Sequence, residues 1–338
     1  MTSEFPDAQI DESGQCQWCR SKMKEGPIDN FPGIKYAELM AVADRIKKEH
    51  TGKYDCIIGV SGGLDSSYMA YIAGKIMGLN ALLVHYDHGF FYGKAKENLE
   101  ALARDLNLEL RVYKSKEGWD KRYVKAFIKA FSKTKFYWGI CTACHYILPA
   151  TIVKVGLAEG IKFYMSHSNK YELSLKVPRQ TKLKAMVRGI MHAGIFRIPA
   201  TIFYFMLAQY YLLRLKLEFY TPPLKNIFRG APQKPFKTIN LTKYVPWDIK
   251  QIVADLTRDT GWRLLQHPSL GMRFDCMIED SYMNKAYKQA TGATVHTIIA
   301  NNLIYDGIQN KLALTPVVMH YDTIINDRIE EVRERILH

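Results

Sequence analysis

A chain of 338 residues, 48% apolar and 24% charged, can bury a sizeable core, which excludes a disordered tract, a collagen-like repeat and a disulfide-knotted miniprotein. Lys and Arg number 47 against 33 Asp and Glu, a net charge of +14. Such a surface attracts something anionic: nucleotide phosphates, a nucleic acid, an acidic protein or an anionic membrane.

The opening MTSEFPDAQIDESG is acidic and polar, without the basic start and apolar stretch of a signal peptide, and sets the expectation of a cytoplasmic chain. Residues 1–50 are expected to form an arm: a loop-rich stretch around Cys16 and Cys19, broken by Gly14, Gly26, Pro27, Pro32 and Gly33, then a basic helix over 36–49. Residues 55–60 (DCIIGV) read as a buried strand closing on SGG, and 65–77 as a helix that buries Met69, Ile72 and Ile76. A strand at 81–84 ends in HYDHG. A helix over 94–106, a strand at 108–113, helices over 121–131 and 146–158 and a strand at 162–165 closing on SHSNKYEL complete the alternation. Strands alternating with helices imply an α/β domain over 51–175, a parallel sheet with crossover helices whose ligands sit at the carboxyl ends of the strands.

Residues 176–338 are expected to form a mostly helical region for substrate or partner. Its first part, 175–217, is basic and apolar at once; Pro222, Pro223, Pro232 and Pro235 mark a linker, and 245–337 reads as mostly helical. The strongly apolar, uncharged stretch 198–213 falls short of the roughly 20 residues that span a bilayer, so no transmembrane helix is expected. The segment 182–216 suits core helices with snorkelling basic ends, a surface for a partner protein, or helices lying against the inner face of the cytoplasmic membrane.

The strongest chemical signal is Ser61-Gly62-Gly63-Leu64-Asp65-Ser66-Ser67, between a strand and a helix. Two glycines let the backbone turn tightly and aim successive N–H groups at one point; three serine hydroxyls and a helix N-terminus complete a cradle for phosphate. No GxxxxGK[ST] occurs, so this is not a Walker A loop. The pattern SGGxDS resembles the PP-loop of the ATP pyrophosphatase superfamily, whose members hold the β,γ-phosphates and cleave ATP between the α and β phosphorus atoms. That resemblance implies ATP with Mg²⁺, and Asp65 as the carboxylate near the metal. It also implies adenine or ribose contacts at Tyr86, Asp87 and His88, and a later strand closing on the same face with His167 and Ser168.

The second signal is a pair of CxxC motifs, CQWC at 16–19 and CTAC at 141–144. Cys16, Cys19, Cys141 and Cys144 could enclose a tetrahedral, structural Zn²⁺ that pins the N-terminal arm to the α/β domain. An open alternative has CTAC and Cys276 holding an iron-sulfur cluster beside the ATP site, as in some PP-loop tRNA sulfurtransferases, and the basic charge leaves a nucleic-acid partner open. Cys56, within the first strand, reads as core packing.

IDESGQCQWC, CTACHYILPATIVKVGLAEGI, NLTKYVPWDIKQIVADLTRDTGW and MRFDCMIEDSYMNKAYKQATG follow in order the layout of the N-acetyl sugar amidotransferases, bacterial surface-polysaccharide enzymes, and the resemblance spans most of 8–310. It implies conversion of a sugar acetamido group to an acetamidino group, on a nucleotide-linked substrate, with ATP and with ammonia from a separate glutaminase. Cys16 lies within CQWC and not at a mature N-terminus, which agrees with nitrogen delivered from outside. Arg273 and Lys170 are candidate cations for an anionic part of the substrate or for the leaving pyrophosphate.

Overall fold

The computed structural model describes residues 33–167, 179–220, 235–264, 276–291 and 329–336, with a few isolated positions besides. Five strands form one sheet in the order β3-β2-β1-β4-β5, every neighbouring pair parallel. They are β1 (Cys56–Gly59), β2 (Ala81–Tyr86), β3 (Leu110–Tyr113), β4 (Phe163–Ser166) and β5 (Lys237–Asn240).

Side chains alternate across a strand, and the sheet uses both faces. Cys56 and Ile58 of β1, Ala81 and Leu83 of β2, and Phe163 and Met165 of β4 join one core. That core is closed by α1 (Tyr36–Glu49), α2 (Leu64–Tyr71, extended by a π turn over Ile72–Ile76) and α8 (Ile249–Asp259). Ile57, Leu82 and Val84 point the other way, against Ile152 and Val155 of α5 (Thr142–Ala158). A third cluster continues this layer through α4 (Trp119–Phe131) and α7 (Ile198–Glu218). Burial on both faces is why these strands read as apolar runs. The crossover after β2 is α3 (Gly93–Asp105), and α6 (Arg179–Ala193) packs against α9 (Asn284–Thr291).

Each strand and helix expected up to residue 166 is present, with ends shifted by a few residues. The largest shift is α5, which begins at Thr142 and carries Pro149 inside it, so one backbone N–H is missing from its ladder. A strand at 162–165 is the last one expected from the sequence, with the prolines up to 235 as linker; β5 adds an edge strand directly after them. Only Ile239 of its four residues is buried, so no apolar run marks it.

The order of the strands reverses direction at β1. The chain winds outward through β2 and β3 on one side and β4 and β5 on the other, so the carboxyl ends of β1 and β4 flank the switch point where open α/β sheets bind ligands. β1 runs directly into Ser61-Gly62-Gly63, and β4 into His167.

Candidate functional site

The loop after β1 is shaped by contacts on three sides. Val60 N–H still donates to Val84 O (2.9 Å), which keeps β1 and β2 together to the point where the chain turns. Gly62 then adopts φ +82°, and a Cβ there would lie 2.1 Å from the Ala95 carbonyl oxygen of α3. Glycine is required by the backbone conformation and again by the close approach. The Gly62 carbonyl accepts from Trp262 Nε1 (3.1 Å) and from Asn98 Nδ2 (3.3 Å). Because the peptide is trans, pinning that carbonyl turns the Gly63 N–H to the opposite side, where Ser61 Oγ lies 3.4 Å away.

Asn98 is itself fully engaged: its Nδ2 donates to Arg263 O (2.7 Å) and its Oδ1 accepts from Arg263 N (2.8 Å). One buried amide therefore ties the loop after β1 to the chain that leaves α8. Neither Asn98 nor Trp262 was singled out from the sequence. Trp262 stands within the block ending TRDTGW, and the one signal it offered was a tryptophan following a Thr-Gly turn.

Gly63 is the N-cap of α2 and supplies no side-chain capping bond, so no cap side chain covers the helix N-terminus, whose dipole favours an anion. Ser66 Oγ accepts from Ser61 N (3.0 Å) and lies 3.1 Å from Ser61 Oγ. Ser67 Oγ is buried and makes no hydrogen bond among the described residues. A buried hydroxyl in that state, in the helix turn that follows the two glycines, is one that a polar ligand such as phosphate would satisfy. The residues present therefore fit the triphosphate of ATP.

Across the switch point, His167 Nδ1 lies 3.8 Å from Asp65 Oδ2, and its ring packs on Trp247 with centroids 3.8 Å apart. Burial lowers its pKa to about 4, so the imidazole is neutral at pH 7. Asp65 stands in the first turn of α2, where a carboxylate is favoured by the helix dipole and could share a Mg²⁺ ion with phosphate oxygens. Trp247, which fixes the His167 ring, was also not singled out from the sequence.

At the end of β2 the predicted residues part company. His85 Nδ1 donates to Val60 O (2.8 Å), locking the two strand ends, and Asp87 Oδ1 accepts from Gly89 N (2.8 Å) in a tight turn. Tyr86 is 1% exposed, and its hydroxyl donates to the buried carboxylate of Asp120 (2.9 Å). Its side chain is committed to the core beneath the loop, unlike the nucleotide contact expected of it. His88 is buried against Phe91, with centroids 4.0 Å apart. Ser168, Lys170 and Arg273 lie outside the described residues.

Cys141 caps α5 and Cys144 lies in its first turn, so the two thiols of CTAC share one helix end. Burial pushes the Cys144 thiol up to about 12, and nearby Asp120 and Glu279 push in the same direction. Cys16 and Cys19 lie outside the described residues, and among those described no group of three or more His, Cys, Asp or Glu could hold a metal. The zinc site expected from the sequence is therefore not assembled by the described residues, which supply only the CTAC half. If the two motifs share one ion, Cys16→Ser and Cys141→Ser each remove it, and metal content by mass spectrometry falls together with the melting temperature. Unchanged stoichiometry in either variant separates the two motifs.

No family model matches the chain. It is similar to the glutamine-hydrolyzing GMP synthase of Elusimicrobium minutum, 33% identical over 76 residues that make up 22% of this chain and 15% of that protein. It is also similar to the glutamine-dependent NAD(+) synthetase of Aquifex aeolicus, 26% identical over 156 residues, 46% of this chain and 25% of the relative. These relatives are members of the PP-loop ATP pyrophosphatase superfamily, of which this chain matches at most a quarter of each one's length. Among solved structures it is similar to the NMN synthetase of Francisella tularensis, with a TM-score of 0.33, 13% identity and coverage of 80% of this chain and 94% of that one. What the chain itself displays is a five-stranded parallel α/β sheet with an SGGLDS turn at its switch point.

Proposed function

We propose that the chain is an ATP-dependent amidotransferase that converts the acetamido group of an N-acetylated, nucleotide-linked sugar to an acetamidino group. The observation that carries this reading is the Ser61–Ser67 turn: its Gly62 carbonyl is held by Trp262 and Asn98, and the helix N-terminus that follows has no side-chain cap. The partial similarity to glutamine-dependent synthetases supports nitrogen transfer as the reaction type. The sugar and the separate glutaminase come from the sequence resemblance.

In this reading the first-turn N–H groups of α2, with the Ser61 and Ser67 hydroxyls, hold the β,γ-phosphates. Asp65 would hold Mg²⁺, which supplies charge neutralisation on the phosphates. The acetamide oxygen attacks the α-phosphorus, the bond from that phosphorus to the bridging oxygen breaks, and pyrophosphate leaves as the amide gives up its N–H proton. Ammonia adds to the activated carbon, the carbon–oxygen bond to AMP breaks, and loss of protons leaves the amidine. The balance is one acetamide, one ATP and one ammonia in, and one acetamidine, one AMP and one pyrophosphate out. His167, uncharged at pH 7, contributes no cation to this site; its ring lies beside the Asp65 carboxylate.

Incubation with ATP, Mg²⁺, an ammonium salt and a panel of UDP-linked N-acetyl sugars tests the proposal. The expected result is AMP, pyrophosphate and a sugar whose mass has changed by replacement of oxygen with NH. ATP left intact or cut to ADP overturns the ATP chemistry. AMP release with every sugar unchanged overturns the sugar assignment alone.

A further inference from the structure

Helices α6 and α7 lie next to each other in the chain, joined by a single turn of 3-10 helix over Ile195–Arg197, and each has one face already packed. On α6 the buried positions are Ala185 and Gly189, where a Cβ on Gly189 would lie 2.3 Å from the Thr134 carbonyl oxygen. On α7 they are Ala208, Leu212 and Leu215, against α4 and α5. Core packing is therefore satisfied from one side.

The other side is apolar too. Ile202, Met206, Tyr210, Leu213 and Leu217 are exposed at spacings of four, four, three and four, a straight stripe down α7 opposite its buried face. Leu183, Val187, Ile190 and Met191 make the same stripe on α6, with Met191 77% exposed. Phe196, at the turn between the helices, is 96% exposed. Isolated apolar side chains on a surface need no explanation; two continuous helical stripes joined at a phenylalanine do.

Charge selects what covers them. From residue 173 to residue 217 there is no Asp or Glu, while Lys and Arg occur eight times. Lys184 and Arg188 border the α6 stripe, and Arg197 adjoins Phe196 at the tip; all three are exposed. Lys182 and Arg214 instead lie over the rings of Trp138 (4.6 Å) and Trp119 (4.7 Å), with their stems along the protein. Two copies of this face brought together would set these cations against one another with no carboxylate of the segment between them. No helix among the described residues is long and apolar enough to cross a membrane.

We propose that the α6–α7 face docks on the surface of an anionic phospholipid bilayer, with Phe196 and the two stripes entering the headgroup boundary and Lys184, Arg188 and Arg197 held among the phosphates. The inference stands on these two helices and is independent of the ATP chemistry. An acyl interior accepts the stripes, and lipid phosphates supply the negative charge that the segment itself lacks. A protein partner would have to bring both.

Sedimentation of the full chain with vesicles of phosphatidylglycerol and phosphatidylcholine in equal parts, and of phosphatidylcholine alone, tests it at low and high salt. The chain is expected to pellet with the anionic vesicles at low salt and to be released by high salt. Phe196→Ser weakens this by roughly tenfold, and Arg188→Gln and Arg197→Gln by about fivefold each. These side chains are exposed, and circular dichroism of each variant checks that the fold is kept. Protein that remains in the supernatant at low salt overturns the proposal. So does pelleting that ignores lipid charge, or a dimer in solution that Phe196→Ser dissociates.

Discussion

Gly62→Ala is expected to lower stability and abolish ATP cleavage together, whereas Asp65→Asn abolishes cleavage and leaves the fold intact. At position 62 the φ of +82° strains any residue with a Cβ, and the Cβ itself would meet the Ala95 carbonyl oxygen at 2.1 Å and its carbon at 2.8 Å. Those atoms belong to the backbone of α3 and cannot rotate away as the end of a side chain would. Either the loop or the helix moves, at a cost of about 3 kcal/mol or more. Moving the loop also breaks the bonds from Trp262 and Asn98 that set the direction of its N–H groups. Asn at position 65 keeps the shape of the aspartate and removes the charge, so its effect falls on the reaction, at roughly 10²-fold or more in turnover. Thermal melts beside a pyrophosphate-release assay separate the two. A Gly62→Ala protein with normal turnover would show that the loop geometry is not what positions the phosphates, and an active Asp65→Asn protein removes the carboxylate from the chemistry.

The part of this molecule that could be read from residue order is the part in which local pattern and burial agree. β1 and β2 are buried on both faces and β4 buries Phe163 and Met165 on one, so their sequences are largely apolar, and helices with one apolar side fill the intervals between them. A ligand site at the carboxyl ends of the strands follows from that alternation, and the glycines after β1 mark the turn; the strand order that makes it a switch point comes from the structure. β5 escaped because an edge strand needs one covered side chain, here Ile239, and Lys237, Thr238 and Asn240 carry no periodic signal. α5 begins at Thr142, one turn before the expected start at 146, and holds Pro149 inside it; burial of Tyr146, Ile147 and Ala150 supplies the tertiary support that a helix interrupted by proline needs.

The site was legible where its chemistry lies in one stretch and illegible where distant segments meet. Ser61 to Ser67 announce themselves because a cradle is built from consecutive N–H groups. His167, directly after β4, lies 3.8 Å from Asp65 in the first turn of α2. Asn98 and Trp262 support the loop from residues 36 and 200 positions away, and nothing in an amphipathic helix distinguishes an asparagine that grips a loop from one that faces water. Tyr86 shows the reverse error: its place at a strand end suggested contact with a nucleotide, yet the alternation of β2 turns it inward to Asp120.

Acid is expected to unfold this protein through three histidines that the fold holds neutral, in a window below pH 6.5. Burial lowers the pKa of His88 to about 3 and of His167 to about 4, and it lowers that of His85 as well. His88 Nδ1 accepts the Phe90 N–H (3.1 Å), so a proton on that nitrogen would break the bond as well as bury a charge; His85 nearby disfavours the cation further, Asp87 opposes this, and Lys121 adds the least. An unfolded histidine titrates near 6.5, so between that value and the native pKa the unfolded chain binds more protons than the folded one. Stability is then complete above pH 6.5 and falls as pH drops, by roughly 1.4 kcal/mol per pH unit for each histidine in its window. By pH 5, His88 alone accounts for about 2 kcal/mol. Urea unfolding at pH 7.5 and pH 5 measures the total loss, and His88→Phe is expected to reduce the difference between the two by that amount, whatever the substitution costs at both. An undiminished difference in the variant would mean that His88 takes up its proton without unfolding. Because His85 holds the end of β2 to Val60, directly before the phosphate loop, turnover of ATP is expected to decline over the same pH interval as stability.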